Sequence, residues 1–196
     1  MGVAIIILAA GNSARLGKPK QLLTFGGSTL LNNVISEALK TQFRPIIVVL
    51  GAYETEIKSA TIKTDVTFVL NENWENGMSS SISIGLQEAL KANAELESVI
   101  LAVADQVYLN AAIFEQLVST KQQTDSSIIA SAYLQTKGTP TLFDRTHFEE
   151  LLNLKGSDGA KSIIKRNLND IVTIPFDLGA VDIDTETDYN NLINNK

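Results

Sequence analysis

The sequence predicts an α/β fold: a three-layer, Rossmann-like, mixed but mostly parallel sheet with helices on both faces. Three observations predict it. Short runs rich in Val and Ile alternate along the chain with segments whose apolar residues recur at helical spacing. The runs are apolar almost throughout, as strands buried on both faces are. The regular alternation of β and α units implies a layered sheet with a helix layer on each side.

Taken in order, strands are expected at 3–9, 46–50, 66–70, 98–104 and 127–132. Helices are expected at 29–40, 53–61, 79–92 and 110–120, the last capped by Asn110. The final third differs. It holds Gly138-Thr139-Pro140, a helix near 145–152, a glycine-rich turn at 156–159 and a helix ending at Asn167. Two short apolar stretches at 171–174 and 181–183 and a helix over 186–193 complete it. No repeat, linker or low-complexity stretch interrupts the pattern, so residues 1–196 read as a single domain.

Composition narrows the function. The net charge of −6 argues against a broad nucleic-acid footprint, which needs a clustered basic face, so any anion site must be local. The absence of cysteine removes disulfides, thiolate metal sites and thiol nucleophiles. The apolar run 3–10 is too short for a membrane span and lacks a basic flank, which leaves no membrane partner and the cytoplasm as the expected location. In open α/β sheets ligands bind beyond the C-terminal ends of the strands. That rule directs attention to the loop after Ala9, the residues after Ala104 and those around Val181.

The first strand runs into Leu8-Ala9-Ala10-Gly11-Asn12-Ser13-Ala14-Arg15-Leu16-Gly17-Lys18-Pro19-Lys20. Glycines let backbone approach a ligand, and successive loop amides can cradle phosphate oxygens. Arg15, Lys18 and Lys20 add local positive charge. Five residues separate Gly11 from Gly17, and Lys18-Pro19 follows, so this is not a P-loop. Pro19 also stands where the helix of a dinucleotide loop would continue. On residue types alone, an ordinary turn with solvated cations stays open.

The segment resembles the signature loop L-A-A-G-x-S-x-R-M-G-x-x-K-x-L-L of nucleotidyltransferases with the sugar-nucleotide transferase fold, in the NTP transferase family. The close match is the branch containing molybdenum cofactor cytidylyltransferase; Leu16 replaces the usual Met. The resemblance implies that Arg15 and Lys20 hold a triphosphate and act in catalysis, with Leu8, Ala9, Ala10, Gly11, Asn12 and Ser13 around the nucleotide. Guanylyltransferase relatives carry Gly where this chain has Ala10, which favours a pyrimidine.

Asn71-Glu-Asn-Trp-Glu-Asn-Gly77-Met78-Ser79-Ser80-Ser81 opens the third helix, where orphan amides suit polar or anionic ligands. Plain serine capping is the alternative on residue types. The segment resembles the cytidylyltransferase pattern N-x-x-W-x-x-G-M-S-S-S. That resemblance places Gly77, Met78, Ser79, Ser80 and Ser81 near the base and ribose. Trp74 reads as core or lid.

Asp105 ends the strand 98–104 at the ligand edge, as a Mg²⁺ ligand or a helix cap. Val103-Ala-Asp-Gln106 resembles the family's A-D-Q-P motif, with Val107 for the proline, and so implies that Asp105 carries the metal and acts in catalysis. Asp182 and Asp184 point to one face of an extended segment, where two like charges call for a cation between them or for plentiful water; a cap from Asp184 or Thr185 on the helix 186–193 is the alternative on residue types. Val181-Asp-Ile-Asp-Thr185 resembles the family's D-I-D-T-P-E-D-Y region, which implies metal contacts from Asp182 or Asp184.

Lys137-Gly138-Thr139-Pro140 resembles the family's R-G-H-P, with Thr139 for His. Gly156-Ser157-Asp158-Gly159-Ala160-Lys161 resembles G-D-x-G-A-R, with Ser157 for Asp and Lys161 for Arg. Both motifs belong to the acceptor side, which implies Gly138, Pro140, Ser157 and Lys161 there. His147, the only histidine, reads as a surface side chain.

The expected activity is Mg²⁺-dependent transfer of a nucleoside monophosphate, CMP from CTP, to a phosphorylated small molecule, with molybdopterin cofactor first among acceptors. Methylerythritol phosphate, a sugar phosphate and a GTP donor remain as alternatives. So does a non-catalytic nucleotide-binding accessory of a molybdoenzyme or its chaperone.

Overall fold

The structure, a computed structural model, describes residues 1–61, 65–157 and 159–194. The chain opens with β1 (Val3–Leu8), a small hairpin of β2 (Thr24–Phe25) and β3 (Ser28–Thr29), and α1 (Leu30–Lys40). There follow β4 (Ile46–Leu50), α2 (Glu54–Ala60), β5 (Thr67–Leu70), α3 (Met78–Ala92), β6 (Ser98–Val103) and α4 (Ala111–Gln123). The last third supplies β7 (Ile128–Tyr133), β8 (Thr136–Asp144), α5 (Phe148–Leu152), α6 (Lys161–Arg166), β9 (Ile171–Pro175) and α7 (Glu186–Asn194).

Seven strands form one sheet in the order β5-β4-β1-β6-β8-β7-β9. β5, β4, β1 and β6 run parallel, with Leu8 opposite both Val49 and Val103. β8 runs antiparallel to both of its neighbours, β6 and β7, and β9 is parallel to β7. The mixed, mostly parallel sheet predicted from sequence is the observed one.

Successive side chains alternate between the two faces, so each strand feeds two cores. Ile5, Ile7, Val48, Ile100 and Ala102 pack with α1, α2 and α4. Ile6, Leu8, Val49, Val99 and Leu101 pack with α3, α5 and α6. Thr29 caps α1 by accepting from the Asn32 N–H at 3.2 Å, and Asn110 caps α4 by accepting from that of Ile113 at 3.3 Å.

Three departures stand out. Residues 136–144 form a full strand that the Gly138-Thr139-Pro140 punctuation concealed. The β7–β8 pairing accommodates that punctuation by a register shift between Ala130 and Ser131. The stretch 181–183 stays outside the sheet and packs in a small third cluster with Leu23, Leu30 and Val107. His147 is not a surface side chain. It ends a 3-10 turn that aims the ring inward, where Nε2 lies 2.6 Å from the Ser127 hydroxyl and the ring meets Phe143 edge-on.

Gly85 sits in α3 where the helix crosses the sheet. A Cβ there would stand 2.7 Å from Ile6 Cγ2 and 2.9 Å from Val49 Cγ2. Alanine would gain up to about 1 kcal/mol of helix propensity. Overpacking two buried β-branched side chains costs about 1–3 kcal/mol. Gly85→Ala should therefore lower the melting temperature by about 2–6 °C; an unchanged or raised melting point would contradict this close approach.

The Asp170 carboxyl lies below its ordinary range, first because the Ser127 hydroxyl donates to it, then through the Ser127 N–H and the charges of His147 and Lys121, against a small opposing effect of burial. A depressed carboxyl stabilises the fold above its unfolded value, and that stabilisation is lost as pH falls through the folded one. Ser127→Ala should flatten the loss of urea midpoint as pH falls below about 4. An unchanged slope would count against the contact.

Candidate functional site

Parallel pairing brings the C-terminal ends of β1 and β6 to the same edge, and the loop after β1 folds over it. A 3-10 turn at Lys20–Leu22 closes that loop. Buried Gln21 reaches back from it, donating through Nε2 to the carbonyls of Ala9 at 2.8 Å and Gly11 at 3.0 Å. Ser13 holds a positive φ of 51°, and its hydroxyl accepts from the Lys20 N–H at 3.2 Å. The loop is thereby fixed at both ends, with Lys20 turned back toward the sheet.

A cavity of about 340 Å³ lies under this loop. Leu8, Ala9, Ala10, Gly11 and Asn12 line one side; Trp74, Gly77, Met78 and Ser81 line the other. Lys20, Gln21 and Asp105 close its inner end. Gly51 lets these walls meet, because a Cβ there would stand 2.8 Å from both Ala10 Cβ and Trp74 Cβ. Trp74 is thus a wall, half-buried against the core beneath α3.

The three serines divide their duties. Ser81 lines the cavity and accepts from Asn71 Nδ2 at 2.9 Å. The Ser80 hydroxyl accepts from the same Nδ2 at 2.8 Å and lies 2.8 Å from the Gly77 carbonyl and 3.1 Å from that of Asn73. Ser80 therefore ties the turn before α3 together without capping it, since α3 has no side-chain cap. Ser79 is fully buried and its hydroxyl has no partner.

Lys20 Nζ lies 2.5 Å from Asp105 Oδ2 and 3.2 Å from Asp184 Oδ1. Burial works against its charge, yet the two carboxylates outweigh burial and hold the ammonium above its ordinary value. Asp105 caps no helix; its hydrogen-bond partner is Lys20. Arg15 is exposed, lines neither cavity described here, and pairs with Asp184 at 2.5 Å. Lys18 pairs with Glu186 at 2.9 Å, so every cation of the loop meets a carboxylate.

A second cavity of about 430 Å³ adjoins the first across Leu8, Met78, Val103 and Asp105. Its floor is apolar, with Ile82, Leu101 and Ile164, and its rim carries Tyr133, Thr139, Ser157, Lys161 and Asp182. Gly138 lines it, whereas Pro140 stands behind, its carbonyl accepting from Ser131 Oγ at 2.7 Å. Asp158 lies outside the described residues. Asp182 faces this cavity and Asp184 does not. The Asp182 carboxyl is pushed up by burial and then by the charges of Asp184 and Asp105, with Lys20 opposing.

These oxygens suit a hard divalent cation, which takes one or two carboxylates plus substrate oxygens. Among the described residues no group of three or more His, Cys, Asp or Glu side chains that could hold a metal converges, so a cation here would draw its remaining ligands from substrate or water. Sequence reasoning missed Gln21, Gly51, Gln106 and Tyr133. Each acts through a fold-dependent contact rather than through a local pattern.

The sequence profile of the MobA-like NTP transferase domain matches residues 5–171. The chain belongs to this family. Residues 5–171 form its MobA-like NTP transferase domain. The bifunctional protein GlmU of Buchnera aphidicola is 27% identical over 145 residues, 73% of this chain and 30% of GlmU. The chain thus spans about a third of the length of that relative. Among solved structures, Rv0371c from Mycobacterium tuberculosis H37Rv superimposes with a TM-score of 0.83 and 26% identity, covering 99% of each chain. The manganese complex of Rv0371c gives 0.78 and 25%, covering 100% of each. Molybdopterin-guanine dinucleotide biosynthesis protein A from Archaeoglobus fulgidus shares the fold, with a TM-score of 0.68, 15% identity and 96% of each chain covered.

Proposed function

We propose that this MobA-like NTP transferase domain moves CMP from CTP to a phosphate of a small acceptor, with Mg²⁺ bound, and that molybdopterin cofactor is that acceptor. The observation that carries the reading is the meeting of two cavities at Asp105, the carboxylate that Lys20 contacts. One cavity lies beneath the phosphate-type loop and the other faces the acceptor motifs, as a two-substrate transfer requires.

The acceptor phosphate oxygen attacks the α-phosphorus, a new P–O bond forms, and the bond to pyrophosphate breaks. A phosphate is already ionised at neutral pH, so the step needs no general base and no covalent nucleophile. The work left to the chain is positioning and charge neutralisation. Lys20 leaves its carboxylate partners to meet the triphosphate; Arg15 at the rim of the loop does the same. Asp105, with Asp182 across the second cavity, would hold the cation, which supplies charge neutralisation at the α-phosphate. The manganese complex of Rv0371c supports a divalent cation in this fold. Ala10, which lines the first cavity, supports a pyrimidine, because guanylyltransferase relatives carry Gly at this place in the motif.

A second reading, with methylerythritol phosphate or a sugar phosphate as acceptor, has its own support. Thr139, Ser157 and Lys161, which replace the family's His, Asp and Arg, all line the second cavity and alter its chemistry where the acceptor would sit. We further propose the cytoplasm as its location and a molybdoenzyme or its chaperone as the recipient of its product. No helix among the described residues is long and apolar enough to cross a membrane.

Calorimetric titration of CTP, GTP, ATP and UTP in Mg²⁺ should find CTP bound most tightly; a preference for GTP would reverse the donor assignment. Asp105→Asn keeps size and hydrogen bonding while removing the charge that a cation needs. Its rate of pyrophosphate release should fall by about 10²–10³, with the melting temperature within about 4 °C of wild type. An active Asp105→Asn enzyme would refute the proposed role.

A further inference from the structure

We propose that the Tyr133 hydroxyl is the specificity-determining donor of the second cavity, offered to an oxygen or ring nitrogen on the accepting molecule. The inference rests on the reading of that cavity as the acceptor site.

Tyr133 ends β7, and its ring stands in a slot made by two glycines. A Cβ on Gly138 would lie 2.3 Å from the Tyr133 hydroxyl oxygen, and one on Gly179 would lie 2.8 Å from its ring. Phe176 meets the ring edge-on at 6.4 Å and fixes its plane. Phenylalanine would fill this slot equally well, so packing alone does not call for the hydroxyl. That hydroxyl lies over Gly138, a residue of the cavity wall, and Thr139 follows on the same wall. A phenol hydroxyl carries one O–H to donate, and among the described residues no protein acceptor takes it up within hydrogen-bond reach.

The placement is tied to the reacting end of the site. Gln106, the residue after Asp105, donates through Nε2 to the Thr139 carbonyl at 2.7 Å and more weakly to that of Gly179 at 3.4 Å. One buried amide thus locks the Tyr133 wall to the strand end that carries Asp105. The same wall faces an apolar floor and a single cation, Lys161. A neutral donor on such a wall discriminates by hydrogen bonding rather than by charge, and a site built to hydrogen-bond its substrate rejects analogues that lack the partner.

The test compares wild type with Tyr133→Phe and Thr139→Val in steady-state pyrophosphate release. Molybdopterin cofactor, methylerythritol phosphate and glucose 1-phosphate serve in turn as acceptors, with triphosphate affinity and melting temperature measured alongside. For the acceptor that wild type uses best, Tyr133→Phe should raise KM about tenfold, the loss expected for one hydrogen bond. Thr139→Val should raise it less, and triphosphate affinity and melting temperature should hold. An unchanged KM in Tyr133→Phe, with wild type active, overturns the inference and leaves the acceptor site standing. A KM change accompanied by an equal change in triphosphate affinity assigns Tyr133 to general architecture and also overturns it. Wild type that neither binds nor turns over any of the three acceptors overturns the acceptor-site reading itself, and the inference with it.

Discussion

The parallel pairing of β1 with β6 is the constraint on which the rest of the site depends. Six consecutive Cα partners, from Val3 with Ser98 to Leu8 with Val103, bring both strand ends to one edge. The loop that follows β1 and the carboxylate that follows β6 must therefore meet, although 85 positions separate Lys20 from Asp105. The register holds because both strands are buried on both faces. A slip by one residue would exchange the side chains facing α1 and α4 for those facing α3, and neither core would fit.

The electrostatics follow from that meeting. In a chain with net charge −6, the three cations of the loop are concentrated at one edge, and each pairs with a carboxylate from β6 or the C-terminal segment. These pairs are exposed or half-buried, so each adds little to stability. Their consequence is placement: Lys20 is held charged and aimed at the junction of the two cavities before any anion arrives. Asp182 shares the wall of the second cavity with Asp105, and burial, then the charges of Asp184 and Asp105, raise its carboxyl, with Lys20 opposing.

The buried glutamines give the site its precision. Gln21 binds two carbonyls of the first loop, and Gln106 binds two carbonyls from segments 33 and 73 residues away. In each, the amide nitrogen faces two carbonyl oxygens, which fixes its orientation and leaves Oε1 without a partner. Such groups hold loops at distances that strand pairing alone does not control. They explain how a site built largely from irregular backbone keeps its shape.

The sequence by itself determined the layered α/β fold, the buried parallel strands and the Gly11–Lys20 loop, because apolar periodicity and turn chemistry act over a few residues. It also marked Asp105 by its place just past a strand end, where open α/β sheets bind ligands, and Lys20 and Ser81 by their resemblance to family motifs. Only the tertiary structure decided that β8 is a strand, since its glycine and proline conceal the pattern and its partners lie elsewhere in the chain. Only it set Asp182, and not Asp184, on the wall of the second cavity, turned His147 inward, and left Arg15 exposed. Those outcomes depend on which side chains long-range packing brings together. The slot around Tyr133 is of the same kind, since Gly138 and Gly179 become its walls only when β8 and the segment after β9 fold against β7.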